Sequence, residues 1–589
     1  MTRALALIPG LLLAAAAAAQ GPPPTSCVSC HSDPDLFEEE ALEIVASHAG
    51  SLHAARGIGC HDCHGGNPDP ALAEELDAMD EGYEPNPYRG VVAAADVPGL
   101  CGECHSDPTY MRRFDPDARV DQVAEYWTSQ HGLALAAGDV NVATCVGCHG
   151  AHGIVSGRSK ESPVHPSRVA QTCAACHSDA ERMGGYTLDD GTPLPVNQHA
   201  LWRVSVHARA LLDRGDLFAP TCNDCHGNHG AAPPGVDSIN FVCGQCHGRE
   251  ADLFRGSAKR EAMELHREYL ADAGEEGCAA CHEAPEPAAE LSLAAHPFTE
   301  CASCHRNHAI VRPTLAALDP LPATPCAFCH EGVGPLAPGE EESAKRVRHY
   351  EEELAGLLGQ AEAAGLSGAE RFDWLVERAL SLPAHNSAAS ERGERRLRAE
   401  FGNLFQKFRI GKTRFTYDEP ASGETVELPV IRCGDCHAAE PLLADEPAGL
   451  EVSAAYVKRI QELTSTTARA ERALLAARRG GVDTREAQAA LELAVDAQIQ
   501  LEVLLHAFER GAGSFSEKHA EGMDHARGAL GHAREALAEL RYRRTGLGVS
   551  LVVIVLVLVA LALKIREVSR REALREAAAG VVPRREGGR

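Results

Sequence analysis

Residues 129–153, SQHGLALAAGDVNVATCVGCHGAHG, contain the spacing of cysteine and histidine that decides the fold. Cys145 and Cys148 are three residues apart, so a single turn of backbone points both side chains the same way, and His149 follows directly. CxxCH is the attachment signal of c-type haem. The two thiols add to the vinyl groups of one porphyrin, and the histidine binds the iron from one side. His131 and His152 remain available for the other side.

The motif recurs eleven times and uses all 22 cysteines of the chain. Zinc ribbons and disulfide frameworks do not need a histidine after every second cysteine, and a redox CxxC is normally single. We therefore expect eleven covalently bound haem c groups, with the motif histidines as proximal iron ligands. In chain order, motifs 1 to 11 are Cys27-Cys30-His31, Cys60-Cys63-His64, Cys101-Cys104-His105, Cys145-Cys148-His149, Cys173-Cys176-His177, Cys222-Cys225-His226, Cys243-Cys246-His247, Cys278-Cys281-His282, Cys301-Cys304-His305, Cys326-Cys329-His330 and Cys433-Cys436-His437.

The composition predicts a fold in which haem replaces much of the usual hydrophobic core. Aromatic residues make up only 5% of the 589 residues, and ten of the eleven motifs fall between Cys27 and His330. We expect a mainly α-helical protein with much irregular loop: a haem-packed body, a long helical bundle and one C-terminal transmembrane helix. The formal net charge of -28 excludes nucleic acid as a partner.

The two ends of the chain predict export and membrane anchoring. Residues 1–19 have a basic start, an apolar run and a small-residue end, as in a secretory signal peptide. Residues 545–563 are uncharged and apolar, and as a helix they span about 28 Å, close to the thickness of the bilayer core. The tail after Leu563 is rich in arginine, which places it in the cytoplasm. The expected location is the cell inner membrane, single-pass, with the haem body on the periplasmic side.

Shifts in composition predict six segments. These are the signal peptide (1–19), a ten-haem domain of repeated units (20–338), a helical segment with motif 11 (339–450), a long helical bundle (451–544), the transmembrane helix (545–563) and a basic cytoplasmic tail (564–589). Homo-oligomer formation through the bundle stays open at this point.

Three phrases recur through residues 47–330: SxH upstream of a motif, CHxxH at a motif, and TCxxCH downstream. They resemble the multihaem c-type cytochromes of the class III and doubled-CxxCH kind. In that family the SxH histidine and the histidine three past the motif are typically distal iron ligands. The resemblance therefore implies this role for His53, His131, His207, His152, His229 and His308.

The fourth unit departs from the pattern. Ser257-Ala258-Lys259 stands where SxH is expected, with His266 seven residues later, and motif 8 is an extra motif before motif 9. Lys259 is therefore an alternative ligand. His385 resembles a ligand position in the helical parts of hydroxylamine oxidoreductase-like cytochromes, or else it is a capping or surface histidine. The remaining distal candidates are His165, His296, His349 and His506.

The supply of histidine favours two histidines on each iron. Of 29 histidines, 11 are proximal, which leaves 18 for eleven distal positions, and no methionine recurs at a fixed place relative to the motifs. An iron with six ligands has no place for a substrate, so we expect an electron carrier rather than an enzyme, working with redox protein partners. Two alternatives stay open. One is a reductase or oxidase of small nitrogen or sulfur compounds with one open haem; the other is a quinol dehydrogenase.

Overall fold

The structure is a computed structural model, and it describes the chain in segments separated by gaps. The described residues are 25–188, 191, 193–234, 239–273, 300–312, 315–318, 355–366, 368–379, 414–420, 422–429, 431–433, 449–509 and 513–579. The chain divides into two compact units. Unit 1 comprises residues 1–243, 284–312 and 416–428, and unit 2 comprises residues 244–283, 313–415 and 429–589. The six segment boundaries expected from the sequence stay predictions.

The described part of the chain is mostly helical with irregular loops, which confirms the predicted fold class. Its helices are α1 Ser26–His31, α2 Glu39–Ala49, α3 Cys60–His64, α4 Val97–His105, α5 Pro108–Met111, α6 Gln122–Tyr126, α7 Gln130–Ala136, α8 Cys145–His149, α9 Val169–His177, α10 Ala180–Met183, α11 Gln198–Val204, α12 Val206–Arg214, α13 Cys222–His226, α14 Ile239–Gly244, α15 Gly248–Arg255, α16 Ala258–Ala273, α17 Ala302–His305, α18 Gly368–Ala379, α19 Gly449–Arg479, α20 Arg485–Leu504 and α21 Ser514–Ala579. Single 3₁₀ turns lie at Ala54–Arg56, Pro70–Leu72, Leu76–Met79, Leu315–Leu318 and Leu505–Ala507. The strands β1 Arg414–Asp418 and β2 Thr425–Pro429 form a two-stranded sheet.

Unit 1 has short helices and a small hydrophobic core. A cluster around Trp202 and Leu211 is completed mainly by alanines of α9 and α12. A segment with so little buried apolar surface gains little stability from its side chains alone. This agrees with the expectation that porphyrins supply the missing apolar mass.

A buried serine starts each copy of the SxH phrase. The hydroxyls of Ser51, Ser129 and Ser205 accept the backbone N–H of the residue three positions on, at 3.1, 2.9 and 3.1 Å. Ser257 makes the same bond to Arg260 in the fourth copy, at 3.3 Å. Such N-caps fix the start of a helical turn. The residue two positions after the serine is therefore held in the same place in every copy, and it is Lys259 in the fourth.

Unit 2 contains a three-helix bundle of α19, α20 and α21. Leu463, Leu501 and Ala526 are fully buried in its main core cluster. Gln498 donates its amide N–H to the Thr464 hydroxyl across α19 and α20 at 2.6 Å, which satisfies that pair of buried polar groups. A side chain at Gly522 would collide with Ala497 and Leu463, so glycine permits the close approach of α21.

The last helix continues far beyond the bundle. α21 runs through the apolar stretch at residues 545–563, whose side chains are exposed. It is the one helix in the described ranges that is long and apolar enough to cross a membrane.

Candidate haem-binding sites

Motifs 2, 4 and 6 fold as single helical turns. α3, α8 and α13 each begin at the first cysteine of a motif and end at its histidine. Cysteines three apart in a helix share a face, so both thiols of such a motif point toward the same neighbour. The described cysteines form no disulfide. This arrangement suits two thioether bonds to one porphyrin.

Backbone carbonyls orient three of the motif histidines. The Nδ1 atom of His64 bonds the Gly90 carbonyl at 2.8 Å. His226 and His305 bond the carbonyl six residues on, at Ala232 (3.3 Å) and Val311 (3.2 Å). A carbonyl partner places the proton on Nδ1, which leaves the Nε2 lone pair for a metal. The orientation of these rings is therefore set by the chain.

Three motif histidines face a histidine from the CHxxH phrase of a later unit. His64 faces His152 with 6.1 Å between ring centres, His149 faces His229 at 6.2 Å, and His226 faces His308 at 6.0 Å. The two rings of each pair are close to parallel, at 20°, 9° and 5°. Each of these three motif histidines thus faces a histidine from the repeated unit that follows it.

Two further motif histidines face the SxH histidine of their own unit. His105 faces His53 at 6.2 Å, and His177 faces His131 at 6.1 Å. Their rings are inclined to each other, at 60° and 50°. Near-parallel and inclined pairs therefore alternate along motifs 2 to 6.

The separation of the rings fits one iron between each pair. Two imidazoles that bind a metal from opposite sides have ring centres roughly 6 Å apart, because each metal–nitrogen bond is about 2 Å and each nitrogen lies roughly 1 Å from its ring centre. All five pairs match this spacing. The residues present therefore fit haem iron with two histidine ligands.

Burial favours the neutral, iron-binding form of three distal candidates, His53, His131 and His308. Burial lowers the pKa of His131, and the facing His177 lowers it further. The same two causes lower the pKa of His53, which faces His105. Burial lowers the pKa of His308 to about 4, with a smaller contribution from His226. A neutral imidazole offers a lone pair at neutral pH, as a ligand must.

Other predicted ligands have different surroundings. His165 is buried, and its Nδ1 bonds the Ser167 hydroxyl at 2.7 Å and accepts the Ser167 backbone N–H at 3.2 Å. Its assignment as a ligand stays a prediction. His506 bonds the Val503 carbonyl through Nδ1 at 2.8 Å, the orientation seen in the motif histidines. His207 lies in α12 directly after the Ser205 cap.

Several predicted residues lie outside the described part of the chain. These are His296, His349 and His385, motifs 8 and 10, and Cys436 and His437 of motif 11. His266 belongs to α16, but its side chain is not described. Their assignments stay predictions.

His48 is a candidate that sequence spacing did not indicate. It ends α2 and lowers the pKa of both His53 and His152, so it lies close to two of the pairs. Its Nε2 is buried and has no hydrogen-bond partner among the described residues. No repeated phrase contains this histidine, so the signal is the buried nitrogen itself.

Comparison with known proteins agrees with this geometry. The chain is 22% identical over 223 residues to the C-type polyheme cytochrome OmcC of Geobacter sulfurreducens. This similarity supports a multihaem c-type cytochrome. It covers 34% of this chain and 26% of the relative, so the chain matches about a quarter of OmcC. No family model and no solved structure matches. The similarity supports covalently bound haem c and electron transfer.

Proposed function

We propose that the protein is a membrane-anchored undecahaem c-type cytochrome. It relays electrons along haems with two histidine ligands, between an inner-membrane donor and a periplasmic or outer acceptor. The single observation that carries this proposal is the set of five histidine pairs at the spacing of one shared iron.

The pairs favour a carrier over an enzyme of nitrogen or sulfur compounds. Each pair would hold one iron from both sides and would leave no open position for a small substrate. When bound, haem iron supplies reversible one-electron chemistry, and ligation by two histidines gives lower potentials than ligation by histidine and methionine. The chain contributes the burial that sets the dielectric around each ligand and the carbonyl bonds that fix ring orientation.

The direction of the relay follows from the anchor. The signal-like residues 1–19, the apolar residues 545–563 and the basic tail support one crossing, with the haem body on the periplasmic side. A body fixed at this surface takes electrons at the membrane and delivers them outward. The acidic net charge of -28 favours partners with basic docking surfaces.

Electron paramagnetic resonance and carbon monoxide binding on the purified protein test the carrier role. We expect the irons to be low-spin and closed to carbon monoxide, because protein ligands fill both axial positions. Assays with nitrite and hydroxylamine should show no turnover. A stoichiometric high-spin haem that binds carbon monoxide, together with turnover of either compound, would instead establish the reductase or oxidase.

A further inference from the structure

Three backbone hydrogen bonds hold neighbouring repeated units in the same relative register. The residue just before each SxH histidine donates its N–H to the carbonyl two residues after a CHxxH histidine of the next unit. These bonds are Leu52 to Ile154 at 2.7 Å, Gln130 to Ala231 at 3.0 Å, and Val206 to Ile310 at 2.9 Å. The acceptors follow motifs 4, 6 and 9. Motif 9 therefore takes the position that motifs 4 and 6 take in the earlier copies.

The histidine pairs obey the same register. His152 of motif 4 reaches back to motif 2, His229 of motif 6 reaches back to motif 4, and His308 of motif 9 reaches back to motif 6. His226 and His305 also share the same carbonyl bond six residues on. Motif 9 thus repeats motif 6 in local structure as well as in ligation, although motif 8 precedes it in the sequence.

Adjacent units meet where two motifs touch. α4 of motif 3 packs on α8 of motif 4, and α9 of motif 5 packs on α13 of motif 6. At these joints the thiols of Cys101 and Cys145 lie close enough to shift each other's pKa, and so do the thiols of Cys173 and Cys222. Both joints have the same form. The first cysteine of the second motif in one repeated unit lies beside the first cysteine of the first motif in the next repeated unit.

The third joint connects motif 7 to motif 9. The Asn240 side-chain N–H donates to the Cys301 sulfur at 4.0 Å, and the thiols of Cys243 and Cys301 lie close enough to shift each other's pKa. The Asn240 backbone N–H donates to the buried carboxylate of Glu300, the residue before Cys301, at 2.7 Å. Glu300 has a left-handed backbone, with φ 46°, which a non-glycine residue adopts only under structural constraint. Motif 9 therefore makes a closely defined contact with motif 7.

We infer that motif 9 is the direct neighbour of motif 7 in the haem array, although motif 8 lies between them in the sequence. The inference rests on the proposed relay for its functional meaning. Electrons pass one at a time between neighbouring irons, oxidising the donor and reducing the acceptor, with no bond formed or broken. Electron transfer between motifs 7 and 9 then does not require the haem of motif 8.

An iron map of the full-length, haem-loaded protein by electron cryomicroscopy tests the order directly. We expect the separation of the motif 7 and motif 9 irons to match the separations across the joints of motifs 3 and 4 and of motifs 5 and 6. A motif 8 iron placed between those of motifs 7 and 9 would overturn the inference, whatever the protein's role proves to be.

Paired variants test the contact of motifs 7 and 9 without relying on activity. C278A/C281A should remove one haem and leave the other irons closed to carbon monoxide, because motif 9 still presents His308 to motif 6. The matched variant C301A/C304A should remove one haem and create carbon monoxide binding, since it loosens the segment that holds His308. A new carbon monoxide site in C278A/C281A equal to that in C301A/C304A would show that the position of motif 9 depends on motif 8 and would contradict the inference. The relay role can fail in the substrate assays while both of these results still hold.

Discussion

Substituting His131 by alanine should convert one haem of the protein from low-spin to high-spin and open it to carbon monoxide. His131 faces His177 across 6.1 Å, and its removal leaves that iron with the proximal ligand alone. All eleven haems should remain attached, because attachment depends on the CxxCH residues. Electron paramagnetic resonance and carbon monoxide titration measure the change, and added imidazole should restore the low-spin state.

His532 offers the control for this substitution. It is an exposed histidine of α21 that pairs with Glu486 and Glu535 rather than with another imidazole. His532→Ala should leave every haem low-spin. If His131→Ala also left carbon monoxide binding unchanged, His131 would not be the sixth ligand of motif 5.

Ending the chain after Arg544 should release a soluble protein with its full complement of haem. The deletion removes the apolar stretch at residues 545–563, whose side chains are exposed in α21, and leaves the bundle residues before it in place. The core of the bundle, including Leu463 and Leu501, lies well before the cut. Carbonate washing of membranes followed by haem staining of both fractions gives the measurement.

A chain that ends after Arg571 is the matched control, because it keeps the apolar stretch and loses only the end of the helix and the tail. This control should stay with the membrane. A truncation at Arg544 that remained on washed membranes would show a second attachment and refute the single anchor.

The sequence indicated which histidines lie opposite a motif histidine better than it indicated which pairs form. The spacing of SxH and CHxxH indicated His53, His131, His152, His229 and His308 as distal ligands, and the structure places each of them opposite a motif histidine. Which iron each one serves depends on the register between units, and that register is set by backbone bonds such as Leu52 to Ile154. Spacing along the chain does not show which repeated units contact each other.

The mainly helical fold was also accessible from the sequence, and glycine pairs mark helix ends locally. α19 and α20 are separated at Gly480 and Gly481, where Gly481 has φ 72°. The candidate His48 was not accessible from the sequence, because no repeated phrase contains it and only its buried Nε2 atom indicates it.

The haem content of the mature protein tests the central claim most directly, because every further conclusion depends on the CxxCH motifs carrying haem. Pyridine haemochrome analysis, combined with intact mass, counts the covalently attached groups on each polypeptide. We predict eleven haems, one for each motif, with all 22 cysteines consumed. Fewer haems than motifs in normally matured protein, or cysteines that remain free to alkylation, would contradict the account.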